Sequence, residues 1–153
     1  MNNICATAVL LTLVAPLSAK ADSVKVDPPS VKVDPLLSTS VTSSGQPIVL
    51  PHGHVKVITS MYEVAPGAKL PEHKHNYPRY GYLLSGELRI TNIETGKSVT
   101  YKPGDFIIES LGQWHKAENV GTEPIKLLVI DQVAKGQDNN TILRKQHAAM
   151  RQD

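Results

Sequence analysis

Gly67-Ala68-Lys69-Leu70-Pro71-Glu72-His73-Lys74-His75 decides how this chain is read, together with His115 forty residues later. If residues 73–75 are extended, side chains two apart share a face, so His73 and His75 point one way and Lys74 the other. Their Cα atoms are then about 6.5–7 Å apart, at ~3.3 Å rise per residue. Two imidazoles can converge from that spacing on one divalent ion, with bonds of about 2.0–2.1 Å for zinc. A third imidazole from a distant strand completes a facial set and leaves positions open for water or substrate. A bare His-x-His pair is a common surface feature and says little by itself. The surroundings say more. Gly67 and Gly86 bracket the pair, and Gly104 opens a second block that runs through Gly112, His115 and Asn119. Glycines at such intervals are what a succession of short strands needs at its turns.

Outward from these segments the chain reads as strands, over residues 36–42, 48–50, 54–64, 80–84, 87–91, 97–101, 105–108, 115–119 and 125–133. They are short, rich in Val, Ile, Thr and Tyr, and separated by Gly, Pro or Asn turns. The pattern predicts an all-β, single-domain antiparallel β-barrel or jelly roll over residues 36–135. Residues 92–96 are the natural hairpin loop between the two histidine blocks. The C-terminal segment 136–153 includes a stretch from 139 that reads as a short helix behind an Asn or Thr cap, or as a tail.

The stretch Gly67 to Gly86 resembles the first motif of the cupin superfamily, and Gly104 to Asn119 resembles the second, with Ser110 where a proline is usual. Tyr82-Leu83-Leu84-Ser85-Gly86-Glu87 and Lys102-Pro103-Gly104-Asp105 carry the same likeness, which covers about residues 46–133. The resemblance implies a small cupin barrel and a divalent transition metal on His73, His75 and His115. Three histidines suit Fe, Zn, Ni, Cu or Mn without choosing among them. The fold carries many activities, so the reaction is not implied.

One departure stands out. The first motif normally supplies a glutamate ligand, and Arg79 occupies that position, with Tyr80 beside it. A guanidinium has no lone pair to give, so Arg79 is no ligand. The expected site is three neutral histidines without a carboxylate, which together with Arg79 favours an anionic ligand. Pointing inward, Arg79 is placed to bind a substrate carboxylate; outward, or paired with an acid, it leaves Tyr80 to line the cavity. Glu87 and Glu109 are the nearest spare carboxylates, and both are expected to face solvent from strand ends.

The N-terminus reads separately. Residues 1–21 hold an apolar run from Ile4 to Leu17 and a small-x-small site, Ala19-Lys20-Ala21, as in a secretory signal peptide. The run is too short to span a membrane, which takes about 20 apolar residues. The expected location is therefore secreted or periplasmic, with no stable membrane insertion after cleavage. Cleavage removes Lys20 and Cys5, the one cysteine of the 153-residue chain. The mature domain then has no disulfide and must be stabilised by its core. Its charge is close to balanced, which gives no reason to propose nucleic acid as a partner. Residues 22–35 carry Ser-Val-Lys-Val-Asp-Pro twice, from Ser23 and from Ser30, and read as an extended linker or arm. An arm of this kind can add an edge strand to a second subunit, so a homodimer is one expectation and a flexible tether the other.

His52-Gly53-His54 is a second His-x-His, but Pro51 and Gly53 put it in a turn. Trp114 reads as core or rim packing. No Gly-x-Ser-x-Gly, phosphate-binding loop, His-Glu-x-x-His or Cys-x-x-Cys competes. Two functional readings stay open: a small metal-dependent enzyme of dioxygenase type acting on a small anionic molecule, and a module that binds a metal or small ligand without turnover.

Overall fold

Nine strands, in a computed structural model that describes residues 31–145, form two sheets facing each other. The expected signal peptide, most of the arm and residues 146–153, including His147, lie outside the described residues. The chain divides into units at Met1–Val33 and Asp34–Asp153, and both sheets belong to the second. The strands are β1 (Val55–Val64), β2 (Lys69–His75), β3 (Arg79–Ser85), β4 (Leu88–Asn92), β5 (Ser98–Tyr101), β6 (Phe106–Ile108), β7 (His115–Asn119), β8 (Ile125–Ala134) and β9 (Thr141–Leu143). One sheet runs β1-β8-β3-β6 and the other β5-β4-β7-β2-β9, and the strand pairs are antiparallel. This is the all-β, jelly-roll architecture expected from the strand pattern.

Alternation builds the core. Along β8, Ile125, Leu127, Val129, Asp131 and Val133 are buried, and the residues between them are not. Leu83, Leu88, Ile107 and Ala117 meet Ile125, Leu127 and Val129 between the sheets, with Tyr62, Val64, Leu70, Ile90 and Tyr101 packed around them. A buried side chain of this size contributes about 1.5–3 kcal/mol over an exposed one. Gly86 ends β3 at φ 79°, and a Cβ there would lie 2.9 Å from the Ile125 Cα. Only glycine fits that conformation and that approach.

The 92–96 loop forms as expected, with Asn92 Oδ1 accepting from the Glu94 and Thr95 amides at 3.0 and 3.1 Å. Three local expectations are corrected. Residues 36–42 and 48–50 are not strands; Val41 makes one isolated bridge, to Pro47, and Leu36, Leu37 and Leu50 are exposed. Their backbone is committed to a local turn, in which Thr42 N donates to Gln46 O at 2.8 Å. Lys69–His75 is a full strand despite Pro71, because the pairing with β7 shifts register between Leu70 and His73. A bulge is where a residue without an N–H is tolerated. The short C-terminal helix is replaced at its start by β9, whose residues bond to β2. Its apolar face was too thin to hold a helix against the sheet, and the edge of β2 offered ladder partners instead.

Candidate metal centre

His73 and His75 are the two buried residues of β2, 5% and 0% exposed, and Lys74 between them faces the other way. His115 opens β7 directly opposite His73 in the antiparallel register. The third imidazole is therefore a cross-strand neighbour of the first. The three ring centroids lie 4.4–5.0 Å apart.

The fourth member is Glu109, which the sequence pattern puts in solvent. Its side chain is in fact 9% exposed, and its Oε2 lies 3.1 Å from His75 Nε2 and 3.0 Å from His115 Nε2. One ligand atom from each of His73, His75, Glu109 and His115 falls within 4.8 Å of the others. Glu109 follows β6, and its amide donates to the Arg79 carbonyl across the sheet at 3.0 Å. The carboxylate missing from the Arg79 position thus reaches the histidines from the residue just past β6. A signal for this existed in the sequence: Glu109 is two residues after Ile107, which is 1% exposed, so the two share the interior face.

Arg79 points inward but is not free. Its Nε and Nη2 donate to Asp131 Oδ1 and Oδ2, each at 2.8 Å, and both residues are buried. The pair is bidentate, the strongest geometry for a guanidinium and a carboxylate. Burial lowers the Arg79 pKa, but the Asp131 bonds and the nearby Glu109 charge outweigh it, so the net shift is upward. With neutral imidazoles, Glu109 and the Arg79–Asp131 pair sum to one negative charge. The free site therefore suits a cation, and the expectation of a carboxylate-free centre is corrected. Tyr80 alternates onto the other face of β3, where its hydroxyl donates to Gln132 Oε1 at 3.0 Å and its ring lies 6.3 Å from Phe106. It does not line the cavity beside the histidines.

That cavity is narrow, about 20 Å³, room for one or two waters. Its polar lining is His73, Arg79 and Glu109; Tyr62, Leu70 and Leu127 are among the largely apolar remainder. Trp114 sits outside it, half-buried between Lys74 and Arg144, at 4.9 and 5.6 Å. His52 and His54 are exposed and join no metal-type cluster among the described residues.

Hydrogen bonding sets the state of each imidazole. The Nδ1 atoms of His73, His75 and His115 face the carbonyls of Pro71, Asn140 and Gln113 at 2.7, 3.1 and 2.9 Å. A carbonyl only accepts, so each Nδ1 carries the hydrogen and each neutral Nε2 presents a lone pair. Two such lone pairs then face a carboxylate oxygen at 3.0–3.1 Å, which is repulsive unless a proton or a cation lies between them. Two ligand atoms ~2.1 Å from one ion and at right angles to each other are ~3.0 Å apart. The donor set and its spacing fit a divalent ion. Without one, Glu109 raises the His115 pKa against the lowering effect of burial. Burial opposes the Glu109 charge, but bonds from His115 and His75 hold its carboxyl well below the usual range. His73, which has no such bond, is pushed down from 6.5 to about 4, chiefly by burial.

The model of the cupin domain family matches residues 60–131, a span that holds both motifs and all four clustered residues. Among solved structures, an uncharacterized conserved protein with a double-stranded β-helix domain from Klebsiella pneumoniae is 24% identical, covering 59% of this chain and 76% of that one, at a TM-score of 0.48. The polyketide cyclase RemF from Streptomyces resistomycificus is 21% identical over 58% of this chain and 63% of its own, at a TM-score of 0.47. A Lactobacillus farciminis oxalate decarboxylase is 20% identical over 57% of this chain and 26% of its own, at 0.49. No curated protein sequence matches the chain. With both motifs on neighbouring strands and their histidines turned to one interior point, residues 60–131 form a cupin domain.

Proposed function

We propose that this is an exported small cupin that holds a divalent transition metal on His73, His75, His115 and Glu109 and takes a small organic anion beside it. The observation that carries the reading is the pair of 3.0–3.1 Å contacts between Glu109 Oε2 and the Nε2 atoms of His75 and His115, which a cation relieves together. A bound divalent ion supplies Lewis acidity and open coordination positions. The chain's own residues do the rest. Glu109 offsets part of the ion's charge, leaving the loaded cluster at about +1 and favouring a monoanion. Arg79 lines the same cavity, and Asp131 takes only its Nε and Nη2, so Nη1 remains to meet a carboxylate oxygen. The rest of the wall is largely apolar, and the small volume admits a head group rather than a whole organic molecule.

An oxygenase-type reaction on such an anion is the enzymatic form of this reading. A metal- or ligand-binding module without turnover is the other form. Elemental analysis of protein matured by its own export route should find about one transition-metal ion per chain. His75→Ala and Glu109→Ala should each lose it; unchanged content in both removes the metal reading. Oxygen uptake with a series of small carboxylic acids then separates the two forms, since a ligand that binds without uptake supports the module. The export reading rests on residues 1–21 and predicts a mature chain that begins at Asp22. Native material beginning at Met1 removes it.

A further inference from the structure

The carboxy-terminal strand lies against the histidine strand, and one buried residue fastens it there. β9 pairs with β2 so that Thr141 faces His75 and Leu143 faces His73. The far end of β9 is held at the surface. Arg144 N donates to Glu72 O at 2.9 Å, its Nη1 pairs with Glu72 Oε2, and its guanidinium covers Trp114. The near end is held in the interior by Asn140, which is 3% exposed.

Asn140 uses every polar group of its side chain. Oδ1 accepts from Tyr77 N at 2.9 Å, while Nδ2 donates to Tyr77 O at 2.8 Å and to Asp131 Oδ1 at 2.7 Å. Its main-chain carbonyl accepts from His75 Nδ1 at 3.1 Å. Asp131 in turn grips Arg79, and the Arg79 carbonyl accepts from the Glu109 amide. Asn140 touches none of the four clustered Nε2 and Oε2 atoms. It nevertheless connects directly to His75 and, through Asp131 and Arg79, to Glu109. A loop anchor would need only the two bonds to Tyr77.

We propose that Asn140 is a positioning residue of the metal centre. Its carbonyl fixes His75 as the Nδ1–H tautomer, and its amide fixes that carbonyl by gripping Tyr77 and Asp131 together. The physical reason is that a ring nitrogen's hydrogen bond decides which of the two nitrogens keeps the lone pair. A carbonyl at Nδ1 turns the Nε2 lone pair toward Glu109. The proposal rests on the metal-binding reading and names what orients one of its ligands.

The test uses the full mature chain with Asn140→Ala and Asn140→Ser, the second because its hydroxyl is too short to reach Tyr77 and Asp131 at once. Cobalt(II) serves as the probe ion. Removal of a group that orients a metal ligand typically weakens affinity about 10- to 100-fold, and that loss is expected here, with altered visible absorption of the bound cobalt. In the metal-free protein, ring-nitrogen NMR should show the hydrogen bond of the His75 Nδ1–H weakened, its proton exchanging faster with solvent. Wild-type affinity, an unchanged cobalt spectrum and a His75 Nδ1–H that exchanges as in the wild type, in either folded variant, would overturn the proposal, whatever happens to Tm. If neither variant folds, Asn140 serves the fold and the proposal fails. A wild-type protein that binds no cobalt removes the metal reading, and the metal-free NMR comparison still decides the role of Asn140.

Discussion

Two regions of the same interior are built by the same strands and obey different rules. The apolar one gathers Leu83, Leu88, Ile107, Ala117, Ile125, Leu127 and Val129. The polar one gathers His73, His75, Arg79, Glu109, His115, Asp131 and Asn140. β3 gives Arg79 to one and Leu83 to the other; Val129 and Asp131 are two residues apart on β8, as are Ile107 and Glu109 beside β6. Strand parity therefore decides what is inside, not what it does there. An apolar side chain needs shape and volume, and its loss is graded. A buried charged group needs particular partners, and removing one leaves the other unpaired. Among the described residues no buried side-chain nitrogen or oxygen lacks a partner, so the polar region has no spare bonds to lose.

The sharpest way to break this comparison is to cut the ion pair. Asp131→Ala should destabilise by about 3–5 kcal/mol, because it strands the Arg79 guanidinium in the interior. Replacing both Arg79 and Asp131 by leucine should cost less than the single change. Chemical denaturation of the three proteins reads this, and an equal or larger loss in the double variant would show that the pair is worth its burial. On the apolar side, Leu83→Ala should cost about 2–5 kcal/mol and leave a cavity, with metal stoichiometry per folded chain unchanged. A parallel fall in stoichiometry would mean that the two regions are coupled.

The metal-free protein should also show the contrast as pH dependence. His73 is neutral in the fold, with a pKa lowered from 6.5 to about 4. Between those values the unfolded chain binds more protons, so stability falls as pH drops through the window and levels off below it, by roughly 3 kcal/mol. His115 runs the other way. Its raised folded pKa contributes stability that is complete below 6.5 and lost as pH rises above it. Glu109 adds stability that is present above its usual 4.5 and lost as pH falls further. Metal-free stability should therefore be greatest near pH 6.5, and His73→Phe should flatten the limb between 6.5 and 4. A limb unchanged by that substitution would assign it to other groups.

The smallest effect is expected at the surface end of β9. Glu72→Gln breaks an exposed pair with Arg144 and should cost under about 1 kcal/mol, with no change in cobalt affinity. Any large effect would place the hold on β2 at the surface rather than at Asn140.

What was legible in the sequence was what local periodicity carries. Extended residues two apart put His73 and His75 on one face, and turn glycines framed both motifs, so the architecture and the imidazole pair could be read before any fold was seen. The same rule applied to Ile107 and Glu109 would have turned that glutamate inward; the short strand before it, Phe106–Ile108, gave few residues on which to establish a phase. The strands expected at 36–42 and 48–50 failed for the opposite reason. Their composition suits a strand, but their backbone bonds go to a local turn.

Pairing across the fold lay beyond any local pattern. Arg79 meets Asp131 across 52 residues, His75 meets Asn140 across 65, and Glu109 closes on His75 across 34. Each contact depends on register between strands brought together only by folding. Register is set by turns, by the bulge at Pro71 and by the packing of two apolar faces, all of which act on whole strands at once. The sequence by itself thus determined the strand architecture and a pair of imidazoles on one face. The tertiary structure alone decided that a carboxylate just past β6 joins them, that Arg79 is already paired, and that the Asn140 carbonyl meets His75.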